Sequence, residues 1–256
     1  MVSASIAALG RPDAGWFLSL YPSAGEAGGC FVPSSRPART WVPGTPAADP
    51  ERARTEAARR ARSKVRRYCA ANRLNRLGTL TYRGQGCHDP KQLRIHVAAF
   101  FRELRFGLGG SPFPYLWVPE WHHTDHGLHV HFAVGQYIAR SKIEAAWGRG
   151  FVHIKRISDL PVGSTSLHEA RRAAGYLSKY VTKTFEPGTR EHTRGLHRYE
   201  IAQRHQPTTL RLRGTSAPRV LAAAVEVMDG REPTQRWSSA DVEDWKAPPA
   251  VWFAWD

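Results

Sequence analysis

The sequence predicts an α+β fold, a split βαβ antiparallel sheet with helices on one face, carrying an extension at each end. Two observations predict it. Short apolar runs of strand length alternate with amphipathic helical stretches in the order strand, helix, strand, strand, helix, strand, helix. That order is the ferredoxin-like arrangement, in which strands that follow one another in the chain do not all lie side by side. The second observation is content: at 256 residues and 41 % hydrophobic the chain can build a core of ordinary domain size.

Each element has its own signal. LGTLTY, Leu77 to Tyr82, is strand-like and is bounded by Arg83-Gly84. From about Asp89 to Phe106, Leu93, Val97, Phe100, Phe101 and Leu104 recur at helical spacing. FPYLWVPE is a second strand, its two prolines marking it as irregular or near an edge. HGLHVHFAVG is a third. Ser141 to Trp147 is a short helix with Ser141 as its N-cap. FVHIKRI is a fourth strand, and a long helix runs from about Ser164 to Phe185.

Composition divides the rest. Residues 1–50 are rich in Gly, Pro, Ser and Ala, and their scattered aromatics (Trp16, Phe17, Tyr21, Phe31, Trp41) suggest a segment lying over a neighbour. Residues 51–75 read as a basic helix with Pro50 at its first turn, ten Lys or Arg against one acid between Arg52 and Arg76. Residues 76–186 hold the core pattern. Residues 187–256 form a C-terminal extension with a strand near Leu210–Leu212, a helix over 217–228 and an acidic, Trp-rich tail.

The formal charge is +15, from 37 Lys and Arg against 22 Asp and Glu, which points to a polyanion and to nucleic acid first. No apolar run reaches the length of a membrane-spanning helix, so no membrane partner is expected. Three cysteines without a C-x-x-C pair argue against a disulfide framework and a zinc ribbon. Arg59, Arg60, Arg62, Lys64, Arg66 and Arg67 in the basic helix, and the stretch Arg204 to Arg213, are candidate phosphate contacts.

Two short motifs carry chemistry. His129 and His131 stand two apart on a predicted strand, so both imidazoles leave one face while Leu128, Val130 and Phe132 take the other. Such a pair suits a metal, with Glu120 on the preceding strand as the oxygen partner if the intervening turn has an even number of residues. A solvated surface pair would have the same spacing, and His122, His123, Asp125 or His126 could replace Glu120. A divalent Mg²⁺ or Mn²⁺ is expected, Mn²⁺ being favoured by nitrogen ligands. In GYLSKYVTK, Tyr176, Lys179, Tyr180 and Lys183 lie on one helical face. A phenol oxygen can form a phosphotyrosine ester, and a lysine one turn away supplies charge for the developing phosphorane. Packed tyrosines with solvated lysines would also fit that face.

The three segments together resemble the HUH endonucleases, specifically the two-tyrosine rolling-circle replication initiators (Rep proteins) of bacterial plasmids and phages. LGTLTY is similar to the first family motif, HGLHVHF to the second and YLSKYVTK to the third, over about residues 76–185. The resemblance implies site- and strand-specific DNA nicking and joining, with Tyr176, Tyr180, Lys179 and Lys183 as catalytic residues and His129, His131 and Glu120 on the metal. It also places Thr79 and Thr81 among the DNA-binding residues, with Tyr176 preferred as first nucleophile. The implied substrate is a single-stranded or hairpin origin with flanking duplex, in the bacterial cytoplasm. No G-x-x-x-x-G-K-[ST] motif occurs, so a host helicase and polymerase are the expected partners. A single-strand transposase or relaxase, or a non-catalytic DNA-binding module of the same fold, are the alternatives.

Overall fold

A computed structural model describes residues 14–34, 47–157, 160–183, 185 and 197–256. In chain order they form β1 (Gly15–Tyr21), β2 (Glu26–Val32), α1 (Pro50–Ala71), β3 (Arg76–Tyr82), α2 (Pro90–Gly107), β4 (Tyr115–Trp121), β5 (Leu128–Val134) and α3 (Arg140–Trp147). There follow β6 (Gly150–Arg156), α4 (Ser166–Lys183), β7 (Glu200–Ile201), β8 (Leu210–Gly214), α5 (Ala217–Val227), β9 (Gln235–Ser238) and β10 (Ala250–Ala254). The class is α+β, with two antiparallel five-strand sheets. The chain divides into two compact units, Pro46–Pro207 and Met1–Thr45 with Thr208–Asp256.

The unit Pro46–Pro207 carries the predicted core. Its sheet runs β6-β3-β5-β4-β7, so β5 is inserted between β3 and β4, and β3 between β5 and β6. This is the split βαβ order. The helices, however, divide between both faces instead of one. Leu93, Val97, Phe100, Phe101 and Leu104 of α2 and Ile143 and Trp147 of α3 pack on Leu80, Trp117, Val130 and Phe132. On the other face Ala61, Val65, Tyr68 and Cys69 of α1 join Ala174, Leu177 and Val181 of α4 over Leu116, Val118 and Ala133. The α1 stripe is made largely of small residues set among arginines, so charge density hid it in the sequence.

Local chemistry sets the ends. Asp49 and Asp89 cap α1 and α2 by accepting the N–H of Arg52 and Lys91, each at 2.9 Å, with proline following the cap in both. Helix α3 begins one residue before the predicted Ser141 cap: its N-cap is Ala139, which makes no side-chain bond. The Ala139 carbonyl accepts from Lys142 and Ile143 instead. Among the described residues β7 pairs only with Leu116 and Trp117, so Pro119 lies where β4 has no neighbour on that side. At Gly78 the Phe132 ring lies where a Cβ would stand, which binds β3 closely to the α2 side of the core.

The second unit pairs segments nearly 200 residues apart. Its sheet runs β8-β1-β2-β10-β9, with Leu18, Leu20, Ala27, Val251 and Phe253 packed against Val220, Ala224 and Met228 of the α5 region. Residues 15–32, expected to lie over a neighbour, instead supply two central strands. The predicted strand at 210–212 and helix at 217–228 are present as β8 and α5. Trp41 and the expected boundary at 186–187 fall outside the described residues.

Candidate metal and nucleophile site

The α1–α4 face of the β3-β5-β4 sheet carries the site. Strands β4 and β5 are joined through a turn of six residues, 122–127, closed by the His122 N–H donating to the Gly127 carbonyl at 2.7 Å. The even count places Glu120 directly opposite His129. His131, two residues on, faces the same side. On the other flank Thr79 of β3 stands opposite His131.

Three donor atoms converge. His129 Nε2 and His131 Nε2 are 3.0 Å apart, and lie 3.0 and 2.8 Å from the same Glu120 oxygen, Oε2. Glu120, His129 and His131 form a group able to hold a metal ion. His131 is buried, and Glu120 and His129 are half-buried. The donor set fits a divalent cation: two imidazole nitrogens and one carboxylate oxygen face one point, and two nitrogen lone pairs would repel at 3.0 Å without a proton or cation between them.

The electrostatics agree with that fit. Burial would raise the Glu120 carboxyl, but hydrogen bonds from His129, His131 and Lys183 outweigh it and hold the group well below the usual carboxylate range. Burial lowers the His131 imidazole, against the opposing pull of Glu120, so the ring favours its neutral, ligating form.

Helix α4 lays its functional face over this cluster. The Tyr180 ring stacks on His131 at 3.8 Å between centroids, 19° from parallel. Its hydroxyl donates to the Tyr176 hydroxyl at 2.7 Å. Burial and that contact push the Tyr180 phenol above its ordinary value. Tyr176 stands further out, 43 % exposed. Lys183 Nζ donates to the second Glu120 oxygen, Oε1, at 2.9 Å and lies 5.3 Å from the Tyr180 ring centre. Lys179 is exposed on the same helical face.

The family comparison bears on this same segment. Residues 75–185 match the family model of the replication-associated protein of the ORF2 type. No curated protein and no solved structure matches the chain. The matched segment runs from the residue before β3 to just past α4, and so spans every member of the cluster and both tyrosines.

Of the residues expected from sequence, His129, His131, Glu120, Tyr176, Tyr180 and Lys183 are brought together. Thr79 joins them through the His131 ring, its Oγ1 lying 3.1 Å from Nδ1. Thr81 sits on the same face of β3, half-buried, where β3 pairs with β6 and no longer with β5. Arg59, Arg60, Arg62 and Lys64 lie along α1, Arg59 pairing with Glu56 at 2.8 Å. Arg66 and Arg67 are half-buried and engaged. Among the alternatives for third ligand, His122 binds Thr124 and His126 binds the Tyr82 carbonyl. Sequence reasoning missed the Lys183–Glu120 contact and the His131–Tyr180 stack. Both join elements more than 45 residues apart, and only the strand register could have signalled them.

Proposed function

We propose that the protein is a DNA-nicking and -joining enzyme that initiates rolling-circle replication through a 5′-phosphotyrosine intermediate. The observation that carries this reading is the placement of two tyrosine hydroxyls beside a two-histidine, one-carboxylate cluster, within a segment matching a replication-associated family. Glu120, His129 and His131 would hold Mg²⁺ or Mn²⁺, which when bound supplies a Lewis acid for the scissile phosphate.

The chain's own groups do the remainder. Tyr176, the more exposed phenol, attacks phosphorus: its Oη–P bond forms, the P–O3′ bond breaks, the phenol proton passes to solvent and the 3′ oxygen leaves protonated. Lys179, exposed one turn away, faces the charge that develops on the phosphoryl oxygens. Tyr180 donates to the Tyr176 oxygen and orients it through its own stacking on His131. After one round Tyr180 takes the equivalent attack on the regenerated junction, and the first strand is resealed as its 3′ hydroxyl displaces Tyr176. Cations of α1 hold flanking phosphates without reading bases. A host helicase and polymerase supply unwinding and synthesis.

The reading is tested with Mn²⁺ and a labelled single-stranded oligonucleotide library. A denaturation-resistant protein–DNA adduct is expected in the wild type and is lost in the Tyr176→Phe, Tyr180→Phe double variant. Tight DNA binding with no adduct on any substrate would assign the protein instead as a non-catalytic docking module.

A further inference from the structure

The two threonines of the first strand motif part company in the structure. Among the described residues Thr81 directs no side-chain bond to the cluster, and its backbone carbonyl accepts from the Trp147 indole at 3.2 Å. Thr79 stands in register with His131, and its hydroxyl meets the ring nitrogen that faces away from Glu120. His129 differs here, because its own outward nitrogen, Nδ1, is buried without a hydrogen-bond partner among the described residues. Of the two imidazoles, only His131 is therefore held at both nitrogens.

From this asymmetry we infer that Thr79 is a positioning residue for the metal centre, acting through His131, and not a DNA contact. The inference rests on the metal reading above. A hydroxyl both donates and accepts, so it satisfies Nδ1 in either tautomer. When Nε2 carries the proton toward Glu120, Thr79 donates to Nδ1. When Nε2 is needed as a ligand, the proton resides on Nδ1 and Thr79 accepts it. The Tyr180 ring, stacked on the same imidazole, fixes the plane in which this exchange occurs. A partner of this kind sets ring orientation and ligand basicity, and its loss typically weakens metal binding by about 10–100-fold.

The test compares Thr79→Val, which keeps the shape and removes the hydroxyl, with Thr79→Ser, which keeps the hydroxyl. Mn²⁺ affinity is read from the free-ion paramagnetic resonance signal, and DNA affinity from a fluorescent oligo-dT probe in EDTA. Thr79→Val is expected to weaken Mn²⁺ binding by about 10–100-fold, Thr79→Ser to restore it, and oligo-dT affinity in EDTA to stay unchanged in both. Unchanged Mn²⁺ affinity in Thr79→Val, or an equal loss of DNA affinity, overturns the inference while leaving the nicking reading in place. A wild type that binds no Mn²⁺ at this cluster overturns both. Should Thr79→Val fail to fold, Thr79→Ala paired with Thr79→Ser gives the same comparison.

Discussion

His131 is held by three neighbours at once: Glu120 at Nε2, Thr79 at Nδ1 and the Tyr180 ring against its face. The residue is one of few buried polar side chains in the unit, and each of its polar atoms is satisfied. This made the histidine pair legible in sequence but left its surroundings hidden. Strand parity gave His129, His131 and Glu120, because a period of 2 and an even turn fix which side chains share a face. Helical spacing likewise gave the tyrosines and lysines. What parity could not give is which lysine meets which carboxylate, since that depends on how α4 lies across the sheet. The structure sets the two lysines apart: Lys183 is committed to Glu120 and Lys179 is exposed. Lys183→Met is therefore expected to weaken Mn²⁺ binding by about tenfold. Lys179→Met should leave Mn²⁺ affinity alone and slow adduct formation by about 100-fold. Rapid-quench kinetics with metal titration separate the two, and matching effects on both quantities would contradict the division.

At the scale of elements, α4 must be fixed to the sheet for its tyrosines to reach the cluster. Near its start, Glu169 is buried and accepts from the Asn75 amide just before β3 and from Arg156 of β6, the latter at 2.7 Å. Glu169→Ala removes that tie and leaves the buried Asn75 amide without its partner, a cost of about 1–3 kcal/mol. Chemical denaturation should record that loss, together with a reduced adduct rate from displaced tyrosines; wild-type stability would contradict the tie. Elements were legible where period was strong, as in α2, whose five predicted apolar positions are all buried. They were not legible in β2, EAGGCFV, where glycine replaces the usual strand formers. Gly29 shows why: a Cβ there would fall within 2.0 Å of the Phe17 carbonyl, so close approach of β1 selects glycine over propensity. The partners of β1 and β2 also come from the far end of the chain, and no local pattern can announce such pairing.

For the whole molecule, the charge that first pointed to nucleic acid is confined to one unit. Residues 46–207 hold 28 Lys and Arg against 13 Asp and Glu, and the other unit holds nine of each. The full +15 thus belongs to the unit that carries the cluster, the tyrosines and the basic helix α1. Replacing Arg59, Arg60, Arg62 and Lys64 with alanine should weaken single-strand binding and reduce the slope of log affinity against log salt by about 3. Nitrocellulose-filter or anisotropy titrations at several salt concentrations check this, and an unchanged slope would remove α1 from the DNA-binding surface. Such contacts position the strand; the reaction belongs to the tyrosines. The central claim is most directly tested by mass spectrometry of the protein–DNA adduct after protease and nuclease digestion. The account predicts a nucleotide joined through its 5′ phosphate to Tyr176, with Tyr180 carrying the link when Tyr176 is phenylalanine. Linkage to any other residue, or cleaved DNA with free 5′ ends and no modified peptide, would contradict it.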